Sequence, residues 1–186
     1  MSRIPLPAAP GMAPRVALHV GSGFERKGVK ALLEAVALTR SNAWAVVVGR
    51  DKRAARLLAH ARRLGIAERV RFTGSVSDVR PYLAAADAFV LATLYDPQPN
   101  AALEAMAAGL PVLTTPKCGA AELLAGGTGG AVRDALDARG MAEVLDGWEP
   151  GIARREGEAA RAAVAPYTPE AMAREYLALY RRLLRR

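Results

Sequence analysis

A glycine-rich stretch that ends in two adjacent cations is the first feature of this sequence that could do chemistry. It begins with Gly21, Ser22 and Gly23 and ends with Arg26 and Lys27. Glycines let a backbone approach a ligand closely, and the N–H groups at the start of a following helix attract anions. The two cations would neutralise a diphosphate, because one arginine can bind two phosphate oxygens at once. An ordinary glycine turn with surface cations remains the alternative.

Two common phosphate-binding motifs do not fit this stretch. A Gly-x-Gly-x-x-Gly motif starting at Gly21 requires glycine at the position of Arg26. A P-loop built on Gly28 requires Lys and then Ser or Thr, whereas Val29 and Lys30 follow. The sequence therefore favours neither a dinucleotide-dependent enzyme nor an ATPase.

Two carboxylates separated by seven residues form the second candidate. Asp96 lies in a Pro-rich loop, and Glu104 lies in the helical pattern that follows. A loop carboxylate and a helix carboxylate can face one cleft, where they accept hydrogen bonds from the hydroxyls of a polyol such as a sugar or a ribose. The alternatives are that Asp96 forms a turn and that Glu104 is a surface acid favoured by the helix dipole.

The start of the helix that carries Glu104 is a third candidate feature. Asn100 follows Pro99 and is a good N-cap, so the helix is predicted to begin at Ala101. The free N–H groups around Asn100, Ala101 and Ala102 then point toward the strand ends and suit a phosphate.

Short apolar runs alternate with helical patterns, and this alternation predicts the elements that position the candidate residues. The predicted strands are Val16–Val20, Ala43–Val48, Val70–Thr73, Ala88–Thr93, Val112–Thr115 and Gly130–Val132. The predicted helices are Val29–Arg40, Arg53–Leu64, Val79–Ala85, Asn100–Ala108, Ala120–Leu124, about Leu136–Leu145, Ile152–Val164 and Pro169–Leu184. Such alternation across short turns indicates right-handed βαβ units. We therefore predict an α/β fold, a doubly wound Rossmann-like parallel sheet of about six strands, with ligands beyond the carboxyl ends of the strands.

The composition fits one domain over residues 15–186, behind a Pro-rich linker at residues 1–14. Hydrophobic residues make up 52% of the chain, and its single cysteine, Cys118, excludes an internal disulfide framework. Cys118 has no His or Cys nearby, so no metal site is predicted.

The apolar runs are shorter than the ~20 residues that a membrane span needs. His19 lies near the end of the first predicted strand and is more typical of a structural histidine than of an acid–base group.

The formal charge of +8 raises the possibility of an anionic partner. The cations are scattered along helices, and aromatic residues are only 5% of the chain, so we predict no nucleic-acid partner. A stripe of apolar residues in the last helix is expected to pack back on the domain; it consists of Met172, Tyr176, Leu179, Tyr180 and Leu183. The alternative is peripheral contact with an acidic membrane through four arginines, Arg181, Arg182, Arg185 and Arg186.

Taken in order, the motifs resemble those of the retaining glycosyltransferases of family four. They are Gly21…Lys27-Gly28, Val47-Val48-Gly49, Val70-Arg71-Phe72-Thr73-Gly74, and Asp96 followed after seven residues by Glu104-Ala105-Met106-Ala107 with Gly109, Pro111 and Val112. Within that family, Gly-Ser-Gly-Phe-x-Arg-Lys-Gly is most similar to the lipopolysaccharide core glucosyltransferases. The resemblance covers about residues 16–132, and residues 167–186 resemble the closing helix of the family.

The resemblance implies a two-domain GT-B enzyme of which this sequence matches only the C-terminal half, the half that binds a nucleotide-diphosphate sugar. Arg26 and Lys27 would hold the diphosphate, and the amides around Asn100–Ala102 would cradle it. Glu104 would bind the ribose hydroxyls and Asp96 the sugar hydroxyls, as the two catalytic-site acids. Thr73–Val76, with Gly74, would line the base pocket. The donor would be the substrate, and neither a metal nor a separate cofactor is expected.

The sequence departs from the family pattern at three places. Asp96 stands where the family usually has Glu, Pro97-Gln98-Pro99-Asn100 replaces its Gly-Phe-Gly, and Ser22 replaces a frequent Arg.

The resemblance implies a missing acceptor-binding half and a glycan or lipid-linked acceptor. It also implies a cytoplasmic location, with contact at the inner face of the membrane as an addition. The isolated chain is then expected to bind donor but to transfer little. The alternative is a non-catalytic nucleotide-sugar-binding or scaffold module.

Overall fold

Six parallel strands form one sheet at the centre of the protein. A computed structural model describes residues 15–41, 43–124 and 130–185. The strands are β1 Arg15–Val20, β2 Ala43–Val48, β3 Val70–Gly74, β4 Ala88–Leu91, β5 Val112–Thr114 and β6 Gly130–Ala131. Their spatial order is β3-β2-β1-β4-β5-β6, and all pairings between them are parallel. The predicted doubly wound Rossmann-like sheet is confirmed.

Helices cover both faces of this sheet. They are α1 Val29–Leu38, α2 Ala54–Arg63, α3 Arg80–Ala85, α4 Asn100–Ala107, α5 Ala138–Gly147, α6 Pro150–Val164 and α7 Pro169–Leu184, with 3-10 turns at Ala67–Arg69 and Gly119–Leu124. Because both faces are covered, the strands are near-continuous apolar runs, and every residue of β2 is buried. One core cluster lies under α1, α2 and α5, and the other lies under α3, α4 and α6.

The strand order fixes where a ligand site can form. The chain runs outward from β1 to β2 and β3, and then returns to place β4 on the other side of β1. The loops after β1 and β4 therefore diverge at the carboxyl edge of the sheet, which is the switch point where ligands of such folds bind. The first loop contains Gly21–Gly28, and the second contains Asp96.

Most helices have an end that differs by one or two residues from the sequence prediction, and the starts of α4 and α5 show the cause. Helix α4 begins at Asn100 rather than at Ala101, and Asn100 is not the N-cap: Pro99 is extended, and its carbonyl accepts the N–H of Ala102 at 3.0 Å. Helix α5 begins two residues later than predicted, because the Asp137 side chain accepts the N–H of Gly140 at 2.8 Å and caps the helix there.

The expectation that the last helix packs back on the domain is wrong. No described residue of α7 is buried, and Met172, Tyr176 and Tyr180 are each more than half exposed. A helical stripe shows that a helix needs a covering surface but does not show which surface that is. Among the described residues, no helix is both long and apolar enough to cross a bilayer. The predicted linker at residues 1–14 and Arg186 lie outside the described residues.

Candidate functional site

Backbone contacts between glycines bring the tips of β1, β2 and β3 together. Gly21 N donates to Val48 O at 2.9 Å, and Gly49 N donates to Gly74 O at 2.9 Å. Gly49 has a φ of 137°, and a Cβ there would overlap the Gly21 carbonyl. Gly21 has a φ of 147° and lies directly under the side chain of Lys27. Glycine at these two positions lets the strand tips touch and leaves space for the lysine above them.

The loop after β2 holds the glycine-rich loop from one side. Asp51 Oδ2 accepts the N–H of Phe24 at 2.9 Å, and Oδ1 accepts the N–H of Arg53 at 2.8 Å. The N–H groups of Arg53 and Phe24 favour the carboxylate and lower the pKa of Asp51. Glu25 also forms an ion pair with Arg53. Asp51 was not predicted as a site residue, since a carboxylate that binds a distant backbone leaves no spacing signal in the sequence.

Two buried threonines hold the same loop from the other side. Thr93 Oγ1 donates to Arg26 O at 3.1 Å, and the N–H of Leu94 donates to the same oxygen at 2.8 Å. Thr115 Oγ1 donates in turn to Thr93 O at 2.7 Å. The loop that carries the two cations is therefore fixed by the ends of β4 and β5. These threonines were not predicted either, because they resemble ordinary strand residues.

The structure brings Arg26, Lys27 and Asp96 together. Asp96 Oδ2 lies 3.0 Å from Lys27 Nζ and 3.4 Å from Arg26 Nη1. The Lys27 side chain is 14% exposed, whereas that of Arg26 is 49% exposed and also donates to the Tyr95 carbonyl. Arg26 and Lys27 thus form a cationic notch above the touching strand tips, and a buried carboxylate closes its inner end.

The backbone of Asp96 is held from both sides. Its N–H donates to Lys117 O at 3.1 Å, and its carbonyl accepts the N–H of Gly119 at 2.9 Å. These bonds tie the Asp96 loop to the loop that follows β5. The carboxylate therefore has a fixed place in the site even though it precedes α4 in an irregular segment.

Of the other predicted residues, Gly21 lies against the Lys27 side chain and Gly23 O accepts the N–H of Lys27 at 3.0 Å. The rest of those that the structure describes form no ion pair with Arg26, Lys27 or Asp96. Asn100 is exposed, Ala101 is half-buried and Ala102 is buried in the first turn of α4. Glu104 is exposed one turn after Asn100 and has no ion pair or hydrogen-bond partner among the described residues. Ser22 is exposed, while Gly23 and Gly74 have positive φ and open space at their Cβ positions. Asp96 and Glu104 thus make no contact with each other.

Helix α4 is held at its far end by an arginine from α6. Arg161 Nε donates to Ala107 O at 3.0 Å, and Nη2 donates to Ala108 O at 2.8 Å. These are carbonyls that a helix end leaves without partners, and a cation there complements the helix dipole. Arg161 therefore fixes the helix whose amino end carries the predicted phosphate-binding amides.

His19 lies beneath the glycine-rich loop and has a structural environment. It is fully buried, its Nδ1 lies 3.1 Å from Val90 O, and its ring meets Phe24 edge-on at 6.2 Å. Burial lowers the pKa of His19 to about 4, with a smaller contribution from the charge of Lys27 and against the hydrogen bond to Val90 O, which raises it. The imidazole is therefore neutral near pH 7 and donates through Nδ1 to Val90.

A cavity of about 290 Å³ lies at the opposite edge of the sheet, between α1 and α5. Its polar lining is used internally: Asp146 accepts from the N–H groups of Arg40 and Ser41 and from Ser41 Oγ. It shares no residue with the notch. Among the described residues, no three His, Cys, Asp or Glu side chains converge as a metal site would require.

Comparison with known proteins identifies the family. The model of the family "Glycosyl transferases group 1" matches residues 14–148. The chain belongs to this glycosyltransferase family. The matched residues include the glycine-rich loop, Asp96 and Glu104, so the resemblance drawn from the motifs is confirmed.

Two curated relatives are named for lipopolysaccharide synthesis. The core biosynthesis glycosyltransferase LpsE of Rhizobium meliloti is 38% identical over 138 residues, which cover 74% of this chain and 40% of LpsE. The lipopolysaccharide glucosyltransferase WaaG of Escherichia coli is 40% identical over 119 residues, or 62% of this chain and 32% of WaaG. The chain therefore spans well under half the length of these relatives.

Solved glycosyltransferase structures have the same fold. The crystal structure of WaaG matches with a TM-score of 0.75 and 33% identity, over 82% of this chain and 43% of that one. Sucrose-phosphate synthase from Thermosynechococcus elongatus matches with a TM-score of 0.82 and 29% identity, over 91% of this chain and 45% of that one. In both cases one half of a larger GT-B glycosyltransferase corresponds to nearly all of this chain.

Proposed function

We propose that this chain is the donor-binding half of a retaining glycosyltransferase, which transfers a sugar from a nucleotide diphosphate to a glycan or a lipid-linked acceptor. The observation that carries the proposal is the notch at the switch point, where Arg26 and Lys27 lie over a floor of glycine backbone with Asp96 beside them. Membership of the glycosyltransferase family supports it, as do relatives named for lipopolysaccharide synthesis.

Each part of the donor has a proposed partner in this arrangement. Arg26 and Lys27 neutralise the diphosphate, and the amides of Asn100 and Ala101 at the start of α4 donate to its oxygens. The predicted third amide, that of Ala102, is already used by the Pro99 carbonyl. Asp96 accepts hydrogen bonds from the sugar hydroxyls, and Glu104 accepts them from the ribose. The base lies against the backbone around Gly74, where no side chain fills the space.

The contribution of this half to transfer is binding and orientation. Two fixed cations stabilise the charge that develops on a departing diphosphate, because they are in place before the bond breaks. Holding donor and acceptor together supplies a further large share of catalysis, and that share requires the acceptor-binding half. We therefore expect the isolated chain to bind donor and to transfer little. Because the two cations neutralise the diphosphate, we also expect binding without a divalent metal.

Calorimetry with UDP-glucose, GDP-mannose and ADP-glucose tests the proposal, with EDTA present to remove divalent metals. We expect one donor to bind and Lys27→Ala to weaken that binding at least about tenfold, the scale of one lost charge-assisted contact. Lys30→Ala is the matched control, because Lys30 is exposed on α1 and pairs with Glu34 instead. Absence of binding to all three donors at millimolar concentration, or equal binding by the wild type and Lys27→Ala, would overturn the proposal.

A non-catalytic binding module is the second candidate. The observations that favour it are two departures from the family pattern, Asp96 in place of the usual Glu and Ser22 in place of a frequent Arg. Both candidates predict donor binding, so binding does not separate them. Slow, Lys27-dependent hydrolysis of the donor by the purified chain would favour the transferase.

A further inference from the structure

We infer that Asp96 competes with the donor's diphosphate for Lys27 and Arg26, and that this competition makes the site prefer the sugar-bearing donor over the diphosphate left after transfer. The inference rests on the proposed function and deepens it. It assigns Asp96 a role in selectivity and product release in addition to contact with the sugar.

The first support is that the cations already have an anionic partner. Asp96 Oδ2 lies within 3.0 Å of Lys27 Nζ and 3.4 Å of Arg26 Nη1, so a carboxylate stands next to both groups that a diphosphate would use. The same oxygen is buried and accepts no aligned hydrogen bond from the described residues. It is therefore held by charge alone and has unused capacity to accept hydrogen bonds.

The second support is that none of the three groups is free to move away. Backbone bonds to Lys117 and Gly119 fix Asp96, the stem of Lys27 lies against Gly21, and Arg26 donates to the Tyr95 carbonyl. A diphosphate that arrives must share cations with a carboxylate that stays nearby. Because the side chains of Asp96 and Lys27 are largely buried, a carboxylate here that loses its cations is costly unless new donors replace them.

The two ligands differ in whether they supply those donors. A nucleotide-diphosphate sugar presents sugar hydroxyls, which donate hydrogen bonds to Asp96 as its cations turn to the diphosphate. The diphosphate product has no such hydroxyls, and its terminal phosphate carries additional negative charge that Asp96 repels. After transfer, Asp96 recovers Lys27 and the product is released. The carboxylate thus penalises the product more than the donor.

The test is calorimetry of wild type and Asp96→Asn with three ligand pairs and one base-independent probe. The pairs are UDP-glucose and UDP, GDP-mannose and GDP, and ADP-glucose and ADP; the probe is inorganic pyrophosphate. We expect Asp96→Asn to bind the diphosphates and pyrophosphate about tenfold more tightly, and the sugar donor equally or more weakly. The preference for donor over diphosphate therefore falls at least tenfold.

Glu34→Gln is the matched control, because it removes one carboxylate from a group on α1 that is paired with Lys30, outside the notch. We expect that variant to change neither affinity more than twofold, and the unfolding temperature of each variant reports whether it is folded. If Asp96→Asn is folded and weakens diphosphate and donor alike, Asp96 only positions the cations and the inference is wrong. If no nucleotide binds the wild type but pyrophosphate binds Asp96→Asn more tightly, the competition between Asp96 and a diphosphate stands, whereas the donor preference and the proposed function both fail.

Discussion

At the scale of single residues, the site depends on two kinds of side chain. Some would contact a ligand, and others form hydrogen bonds to the backbone of the glycine-rich loop and fix its position. Asp51 and Thr93 hold the glycine-rich loop from opposite sides, and Thr115 supports Thr93. The sequence indicated Arg26, Lys27 and Asp96 because cations and acids beside glycines suggest chemistry. It did not indicate the supporting residues, because their partners lie 22 to 67 positions away.

His19 predicts a specific pH dependence of stability. Its pKa is lowered to about 4 in the folded state, from 6.5 in an unfolded chain. The unfolded state therefore binds more protons between these values, so the stability that neutral His19 contributes is present above pH 6.5 and is lost as pH falls toward 4. At about 1.4 kcal/mol per pKa unit, we expect a loss of about 3 kcal/mol between pH 7 and pH 4.

Denaturant unfolding of wild type and His19→Gln at pH 7 and pH 4 measures this loss. Acids that titrate over the same range contribute to both proteins, so the difference between the two pH dependences isolates His19. We expect the variant to be less stable at pH 7 and to lose less stability on acidification. His60→Gln serves as a control, because His60 is only partly buried and is hydrogen-bonded to the side chain of Glu34 rather than enclosed in the core. Parallel pH dependences for wild type and His19→Gln would show that His19 does not titrate with folding.

At the scale of elements, the sequence predicted strands better than helix ends or helix packing. Strands buried on both faces are apolar runs between glycines and polar turns, so five of the six begin at the predicted residue, and β1 begins one residue earlier than predicted. Helix ends depend on which group accepts the first N–H, and at α4 the carbonyl of Pro99 does so instead of the Asn100 side chain. The covering surface of a helix depends on the whole molecule, which is why the expected packing of α7 failed.

Helix α7 predicts a surface contact that the domain itself does not make. A 16-residue helix with no buried residue has little stability of its own. Its apolar stripe and the basic end around Arg181, Arg182 and Arg185 suit an acidic lipid surface. We expect deletion of residues 169–186 to change the unfolding temperature by less than about 2 °C, because no core contact is lost. We also expect it to abolish binding to phosphatidylglycerol vesicles.

Co-sedimentation with vesicles at low and high salt, alongside thermal unfolding, measures both effects. Arg181→Gln combined with Arg182→Gln keeps the apolar stripe, so it separates charge from hydrophobic contact. Its binding to acidic vesicles is expected to weaken, and that of the full chain to fall as salt rises. A large drop in unfolding temperature on deletion would instead show that α7 packs on the domain. Binding to neutral vesicles that equals binding to acidic ones would contradict the role of the arginines.

At the scale of the whole molecule, the chain corresponds to one half of larger glycosyltransferases. The strand order places the notch at an open edge of the sheet, with Arg26 half exposed and Glu104 without a partner in the described residues. A binding site at this edge is completed by the domain that packs against the edge. The motifs indicated this because they matched only the donor-binding half of the family pattern, whereas nothing in the sequence indicated the acceptor.

A chimera with a longer relative tests whether this half supports transfer. In the chimera, the matched part of this chain, 62% of its length, replaces the corresponding 119-residue region of E. coli WaaG, to which it is 40% identical. If the notch holds the donor as proposed, we expect glucosyl transfer above background, reduced by imperfect contacts across the new junction, since loss of orientation lowers the rate steeply. The same chimera with Lys27→Ala should lose that transfer, and with Lys30→Ala should keep it.

A folded chimera whose activity is unaffected by Lys27→Ala would place the diphosphate elsewhere. A chimera that binds donor through Lys27 but transfers nothing would favour the non-catalytic module, because the acceptor-binding half is then present and only the chemistry of this half is lacking.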